Sequence, residues 1–370
     1  MSEDKKKIII VVDTLDLGGA EVSATKICNE AANNNYTVEL IVIRNKGVLE
    51  KTISNNVKIV HLNKKKVSHA FFYLINYLKN NNVDLIISYL NHVNLLVLIS
   101  TYLFTISAKV IIAVHSPLNY SEHIKISIIK TFFFKKLICF FYPKAYKIAA
   151  VSHGVKSSLL QQIFKNNKKN NIEVIYNPIS LVNFNEIKKN LINGNKKFRY
   201  IFVGRLIKDK GILGIIDSFR EANNEIDSEL YIYGTGNLEE DIKLKVIDNN
   251  LEDSIKILGY KSNIDEIYTH ADCLIMNSSF ESFGNVIIEA LNYRCDIISS
   301  DCPVGPRELL RNGEFGSLFQ LGNTDELTKL MIKSAKLKKK QNKEFNSELN
   351  EYLKTFEISF IFKKLIGTKL

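Results

Sequence analysis

Short runs rich in β-branched residues alternate with longer helical stretches along this 370-residue chain, and that alternation admits few folds. The runs are Ile8–Val12, Thr37–Ile43, Val57–Leu62, Asp84–Ser88, Lys109–Val114, Lys147–Val151 and Ile172–Tyr176. Strands separated by helices predict βαβ units and a mostly parallel sheet. After Asn177-Pro178 the pattern stops, and residues up to about Lys197 are polar, rich in Asn and Lys, and without a hydrophobic period, as a linker would be. A second series then begins with Arg199–Val203, Glu229–Tyr233, Ile255–Leu258, Asp272–Met276 and Cys295–Ser299. The expectation is an α/β protein with two Rossmann-like, doubly wound domains, residues 1–180 and 198–345. Such sheets bind ligands beyond the carboxyl ends of their strands, so two of them face to face would form a cleft.

Composition removes several classes of function. The five cysteines, Cys28, Cys139, Cys273, Cys295 and Cys302, have neither a C-x-x-C pair nor a regular spacing, which argues against a disulfide framework and a structural zinc site. Met1–Lys7 runs directly into the apolar Ile8–Val12, which reads as a first strand rather than a signal-peptide core. The longest apolar stretch, Leu95 to Ala108, falls short of the roughly 20 residues a membrane-spanning helix needs. A soluble, cytoplasmic protein is expected. The net charge of +11 attracts anions of any kind. A basic nucleic-acid-binding protein is one alternative, but no recognition module or aromatic stacking strand accompanies the charge.

Strand ends carry the chemistry. The first strand leads into Asp13-Thr14-Leu15-Asp16-Leu17-Gly18-Gly19-Ala20-Glu21 and then a helix; Gly18 and Gly19 suit either close approach of a ligand to a helix N-terminus or an ordinary tight turn. The pattern is not G-x-G-x-x-G, which disfavours a dinucleotide. The second series opens with Val203-Gly204-Arg205-Leu206 and Lys208-Asp209-Lys210-Gly211. Arg205 and Lys210 place two cations at one strand mouth, where Arg grips phosphate oxygens bidentately and Lys acts as a point charge; the alternative is an Arg205–Asp209 surface pair. Tyr233-Gly234-Thr235-Gly236 is a further glycine turn at a strand end, open to ligand contact at Gly234 or to a turn alone.

The most specific stretch is Asn277 to Leu291. Glu281 precedes a helix whose face is set by Val286, Ile287 and Ala290, and Glu289 lies eight residues on, about two helical turns. The backbone N–H groups of Ser282, Phe283, Gly284 and Asn285 would favour an anion at that helix start.

With these motifs in order, the chain resembles the glycosyltransferases of family 4, retaining enzymes of GT-B architecture, and in particular those of bacterial surface-polysaccharide assembly. The resemblance rests on Gly18-Gly19-Ala20-Glu21, Val151-Ser152-His153, Tyr176-Asn177-Pro178, Val203-Gly204-Arg205-Leu206 with Lys210-Gly211, Tyr233-Gly234-Thr235-Gly236, and Glu281-x-Phe283-Gly284-x-x-x-x-Glu289-Ala290. It implies that Arg205 and Lys210 bind the donor diphosphate and stabilise its developing charge, that Glu289 holds the ribose hydroxyls, and that Glu281 contacts the transferred sugar. It implies a role for His115 against the donor sugar, and an acceptor-binding first domain. The final helical stretch, residues 346–370, would pack back on that domain. There is no D-x-D triplet, so no metal or other cofactor is expected. Ser300-Asp301-Cys302-Pro303-Val304-Gly305-Pro306-Arg307-Glu308 resembles a segment of enzymes using UDP-hexoses or UDP-N-acetylhexosamines, with Val304 where many have a small polar residue.

The implied partners are a UDP-sugar donor and a glycan or lipid-linked glycan acceptor, with no nucleic acid. Between His123 and Lys147, Ile, Phe and Leu residues are interleaved with six lysines and no acid. That pattern suits an anionic membrane surface, at the inner face of the plasma membrane, or a buried helix with lysines reaching outward. A UDP-sugar epimerase of the same fold is the second alternative function.

Overall fold

The computed structural model describes residues 5–44, 47–117, 128–164, 171–182, 197–338 and 347–367. The chain divides into two compact units, Met1–Pro178 with Thr355–Leu370, and Ile179–Lys354. The predicted linker ends in residues 183–196, which lie outside the described residues, as do 123–127 of the basic aromatic segment.

The first unit runs β1 (Lys7–Val12), α1 (Gly19–Asn33), β2 (Thr37–Val42), β3 (Val57–His61), α2 (Phe71–Lys79), β4 (Leu85–Tyr89), α3 (Asn91–Leu103), β5 (Lys109–Val114), α4 (Ile128–Phe141), β6 (Lys147–Ala150), α5 (His153–Gln162) and β7 (Ile172–Val174). Its seven strands are parallel, in the order β3-β2-β1-β4-β5-β6-β7. Helices cover both faces, so the strands are apolar throughout rather than alternating: Ile8 to Val12 are all buried. Ile8, Ile10 and Val12 pack with Ala24 and Ile27 of α1 and with Ile361, Phe362 and Leu365 from the end of the chain.

The second unit runs β8 (Phe198–Val203), α6 (Ile212–Asn223), β9 (Ser228–Tyr233), α7 (Glu239–Asp248), β10 (Ile255–Gly259), α8 (Ile264–Tyr268), β11 (Cys273–Met276), α9 (Asn285–Asn292), β12 (Asp296–Ser300), α10 (Pro306–Leu309), β13 (Ser317–Phe319), α11 (Thr324–Lys338) and α12 (Ser347–Lys354). Its six parallel strands are ordered β10-β9-β8-β11-β12-β13. The expected strands are present to within two residues at their ends. β13 was not expected: three residues beside β12 are too short to show a period.

The C-terminal stretch, expected to pack on the first domain as a whole, divides. α12 stays with the second unit, where Tyr352 Oη donates to the Leu309 carbonyl at 3.0 Å and Arg311 pairs with Glu348 at 3.2 Å. Only the chain from Thr355 joins the first unit, through α13 (Ile358–Ile366), whose Phe362 meets Tyr36 edge to face.

Strand order reverses between β1 and β4 in the first unit and between β8 and β11 in the second. At such a point the loops leave in opposite directions and open a crevice at the strand ends.

Candidate active site

The loops after β8 and β11 are fastened to each other across the switch point of the second unit. Ser279 N–H donates to the Asp209 carbonyl at 2.8 Å, and Asn277 Nδ2 donates to the Gly211 carbonyl at 3.0 Å. Gly211 has φ +63°, and a Cβ there would lie 2.2 Å from the Asn277 carbonyl oxygen, so the two loops meet only because this residue has no side chain. On this frame the Lys210 ammonium contacts Glu281 Oε1, which also accepts from Ser278 Oγ at 2.9 Å. Both partners of the ion pair are mostly enclosed. Arg205, five residues before Lys210, is exposed at the same mouth.

The Gly234-Thr235-Gly236 turn sets where Arg205 stands. A Cβ on Gly234, at φ +138°, would lie 1.8 Å from the Gly204 carbonyl oxygen, and Leu206 N–H donates to Thr235 at 2.9 Å. Its glycines are therefore explained by backbone packing around Arg205.

α9 begins at Asn285 behind Gly284, its N-cap at φ +101°. Its buried face is Ile287, Ile288, Ala290 and Leu291; Val286, expected to be buried, is only half covered. Phe283 is buried, while Ser282 and Asn285 are partly exposed. Glu289 is oriented by a partner that the sequence reading missed: the buried Tyr268 donates to its Oε2 at 2.9 Å. Burial, and then Glu289 itself, hold the Tyr268 hydroxyl far above its ordinary range, so it stays a donor. Two more residues join from the end of β12 and the loop after it: Ser300 Oγ donates to the Ser278 carbonyl at 2.8 Å, and the thiol of Cys302 is pushed up to about 12 by burial and then by Glu281.

The first unit carries the other predicted residues. Gly18 lies at the start of α1, and the space above it is filled: a Cβ there would meet Glu21 Oε2 at 2.1 Å. Burial, opposed by a hydrogen bond from its own backbone N–H, raises the Glu21 pKa, and Asp13 and Asp16 add to the rise. The helix end proposed for a ligand anion is thus already shared with a carboxyl group. His115 stands at the end of β5, its ring 5.4 Å from Tyr89, and burial lowers it to about 4, so its imidazole is neutral at pH 7.

A cluster that sequence reading missed spans three strand ends. Asp13, buried at the end of β1, accepts from Arg44 Nε at 2.6 Å and lies 2.9 Å from His92 Nε2. Burial alone would raise the Asp13 pKa, but hydrogen bonds from His92 and Arg44 outweigh it and hold the carboxyl at about 2. His92 follows Leu90, which has φ +74° and ψ 141°, a region bulky residues occupy at a cost of about 1–3 kcal/mol and most often near functional sites.

Two doubly wound parallel sheets in one chain are the ground plan of the GT-B class of α/β proteins. Comparison with known proteins assigns the family. A glycosyltransferase family 4 model matches residues 17–182, and a glycosyl transferases group 1 model matches 183–351. The chain belongs to these glycosyltransferases and is a transferase enzyme. It is 33% identical over 208 residues to an N-acetylgalactosamine-N,N'-diacetylbacillosaminyl-diphospho-undecaprenol 4-alpha-N-acetylgalactosaminyltransferase of Campylobacter jejuni, a match spanning about half of each chain, 55% of this one and 56% of the other. Over 341 residues it is 26% identical to the amylovoran biosynthesis glycosyltransferase AmsD of Erwinia amylovora, covering 90% of this chain and 92% of that one. Among solved structures, Anabaena HepE with UDP-glucose superposes with a TM-score of 0.77 at 18% identity, over 97% of this chain and 98% of that one, a likeness of fold.

Proposed function

We propose that the protein moves a hexose or N-acetylhexosamine from a UDP-sugar, with retention at the anomeric carbon, onto a glycan or lipid-linked glycan acceptor in surface-polysaccharide assembly (capsule, O-antigen or lipopolysaccharide). The observation that carries this reading is the Lys210–Glu281 pair on loops fastened across the switch point of the second unit, beside the exposed Arg205. The relatives' activities, on a diphospho-undecaprenol-linked acceptor in one and in amylovoran biosynthesis in the other, support the acceptor class.

In this reading Arg205 clamps the diphosphate and Lys210 turns from Glu281 to a phosphate oxygen as the C1–O bond breaks and charge develops on the leaving UDP. Glu281, released, accepts hydrogen bonds from the transferred sugar. The backbone N–H groups at the start of α9, from Phe283 to Asn285, add a fixed positive dipole. Glu289, held by Tyr268, is preorganised for the ribose hydroxyls. The acceptor oxygen bonds to C1 on the face the phosphate leaves, and its proton passes to the departing phosphate oxygen. Gly18 and Gly234 act by shaping the turns, while Gly19, exposed at the start of α1, keeps the donor contact expected of it. His115 is the catalytic candidate of the first unit, acting as a neutral hydrogen-bonding group. Because two cations supply the charge compensation, we expect no requirement for a metal or cofactor.

The first unit also carries a membrane-facing surface in this proposal. Along α4, Phe132, Phe133 and Phe140 are exposed by 55%, 62% and 56%. Lys136 sits over Phe132 at 4.5 Å, and Lys144 over Phe140 at 4.5 Å and over Tyr102 of α3 at 4.0 Å. Exposed aromatic rings capped by lysines favour an anionic bilayer surface. Among the described residues no helix is long and apolar enough to cross a membrane. The protein would act at the inner face of the plasma membrane.

The test is UDP release from UDP-glucose, UDP-galactose and their N-acetylated counterparts in EDTA, for the wild type and for Arg205→Ala/Lys210→Ala. Turnover with at least one UDP-sugar, lost in the double variant, supports the reading. Turnover only with added metal, or none with any UDP-sugar, overturns it.

A further inference from the structure

We propose that Asp13, Arg44 and His92 form the acceptor-sugar site of the first unit, in which His92 Nδ1 accepts a hydrogen bond from an acceptor hydroxyl and the outer edge of Arg44 donates to a second. The proposal rests on the reading of the chain as a UDP-sugar transferase.

Asp13 ends β1 and His92 follows β4, so the pair bridges the two strands between which the order reverses, as Lys210 and Glu281 do between β8 and β11. The same crevice that holds ligand in doubly wound sheets is here lined by a carboxylate, a guanidinium and an imidazole.

An ionised carboxylate only accepts, so His92 Nε2 must carry the hydrogen it shares with Asp13; in the neutral ring Nδ1 is then the acceptor nitrogen. Arg44 spends Nε and Nη2 on Asp13 and keeps donors on its outer edge. The carboxylate is almost wholly buried, whereas the His92 and Arg44 side chains are 44% and 42% exposed. A buried anchor that fixes two exposed polar groups lowers the ordering cost of binding. The strained backbone at Leu90, two residues before His92, is a separate sign that the loop is held in a demanding conformation.

Charge selects the ligand. Asp13, Asp16 and Glu21 all lie close enough to act on Arg44, so three acids face the guanidinium and the mouth is not a phosphate trap. Acceptors and donors of hydrogen bonds without net positive charge suit a neutral polyol, that is, a sugar.

His92→Gln tests this in the full chain: glutamine keeps a side-chain N–H for the buried Asp13, and the donor-induced thermal shift reports whether the variant is folded. The probes are octyl α-glycosides of glucose, galactose and N-acetylgalactosamine, and the readout is UDP release with and without glycoside. The expected result is that a glycoside stimulates release by the wild type, and that His92→Gln lowers acceptor kcat/KM at least tenfold. Unstimulated hydrolysis and the donor-induced thermal shift should stay within twofold. Unchanged stimulation in the variant, parallel loss of stimulated and unstimulated rates, or no stimulation of a wild type that binds donor would each overturn the acceptor site. Failure of the wild type to bind any UDP-sugar would instead sink the transferase reading beneath it.

Discussion

Replacing Gly211 with alanine tests how the donor-side loops are held, and Gly259→Ala is its control. Both glycines have left-handed backbones, φ +63° and +66°, so each substitution carries the penalty of placing an L side chain there, about 1–2 kcal/mol. They differ in surroundings. Nothing lies within 4 Å of a Cβ on Gly259, whereas one on Gly211 would lie 2.2 Å from the Asn277 carbonyl oxygen and 2.8 Å from its Nδ2. Backbone cannot yield as a flexible side chain can, and relieving the contact must part the loops, adding about 1–3 kcal/mol by analogy with overpacking. At about 2–4 °C per kcal/mol for a unit of this size, Gly211→Ala should unfold roughly 2–12 °C below Gly259→Ala. The chain has no tryptophan, so the transition is best followed by calorimetry or far-ultraviolet circular dichroism. UDP affinity should fall in Gly211→Ala alone. Equal midpoints and equal affinities would refute the claim that this contact sets the distance between the loops.

Three further outcomes follow from the same structure. Asp13 has its pKa lowered from 3.8 to about 2, so its contribution is complete above pH 4 and lost as pH falls toward 2; the stability deficit of Asp13→Asn, measured by urea unfolding, should shrink by about 2 kcal/mol over that window, and a deficit independent of pH would contradict it. Cys139 is exposed and Cys28, Cys273, Cys295 and Cys302 are buried, so a thiol reagent should label one cysteine rapidly in the native protein and five in denaturant; rapid native labelling of Cys302, whose thiol is held up to about 12, would count against its burial beside Glu281. The protein should sediment with phosphatidylglycerol vesicles at low salt and not with phosphatidylcholine ones, and Phe132→Ser/Phe133→Ser should abolish this without lowering the unfolding midpoint; binding equal on both lipids would exclude the proposed surface.

Much of the fold was legible because a parallel strand buried on both faces must be apolar along its whole length, which marks Ile8–Val12 or Leu274–Met276 without any alignment. β13 was not, since three residues carry no periodicity. Arg205, Lys210, Glu281 and Glu289 could be picked out by type and by their place at strand ends, but not the bonds they make. The sequence reading gave Lys210 to a phosphate, whereas in the folded chain it rests on Glu281, and nothing local to Glu289 points to Tyr268, 21 residues away. Asp13, Arg44 and His92 are 31 and 79 residues apart and meet only because β1 lies between β2 and β4. That neighbourhood depends on strand order, which hydrophobic pattern does not encode.

Calorimetric titration of UDP in EDTA onto the wild type, Arg205→Ala/Lys210→Ala and Glu281→Gln tests the diphosphate site most directly. Hydrogen bonds to charged groups contribute about 1.5–3 kcal/mol each, so losing both cations should weaken UDP by at least a hundredfold. Glu281→Gln, which frees Lys210 from its partner while adding no sugar contact for UDP to lose, should leave UDP affinity unchanged or improved. UDP binding that survives the double substitution, or that collapses in Glu281→Gln, would contradict the assignment of Arg205 and Lys210 to the diphosphate.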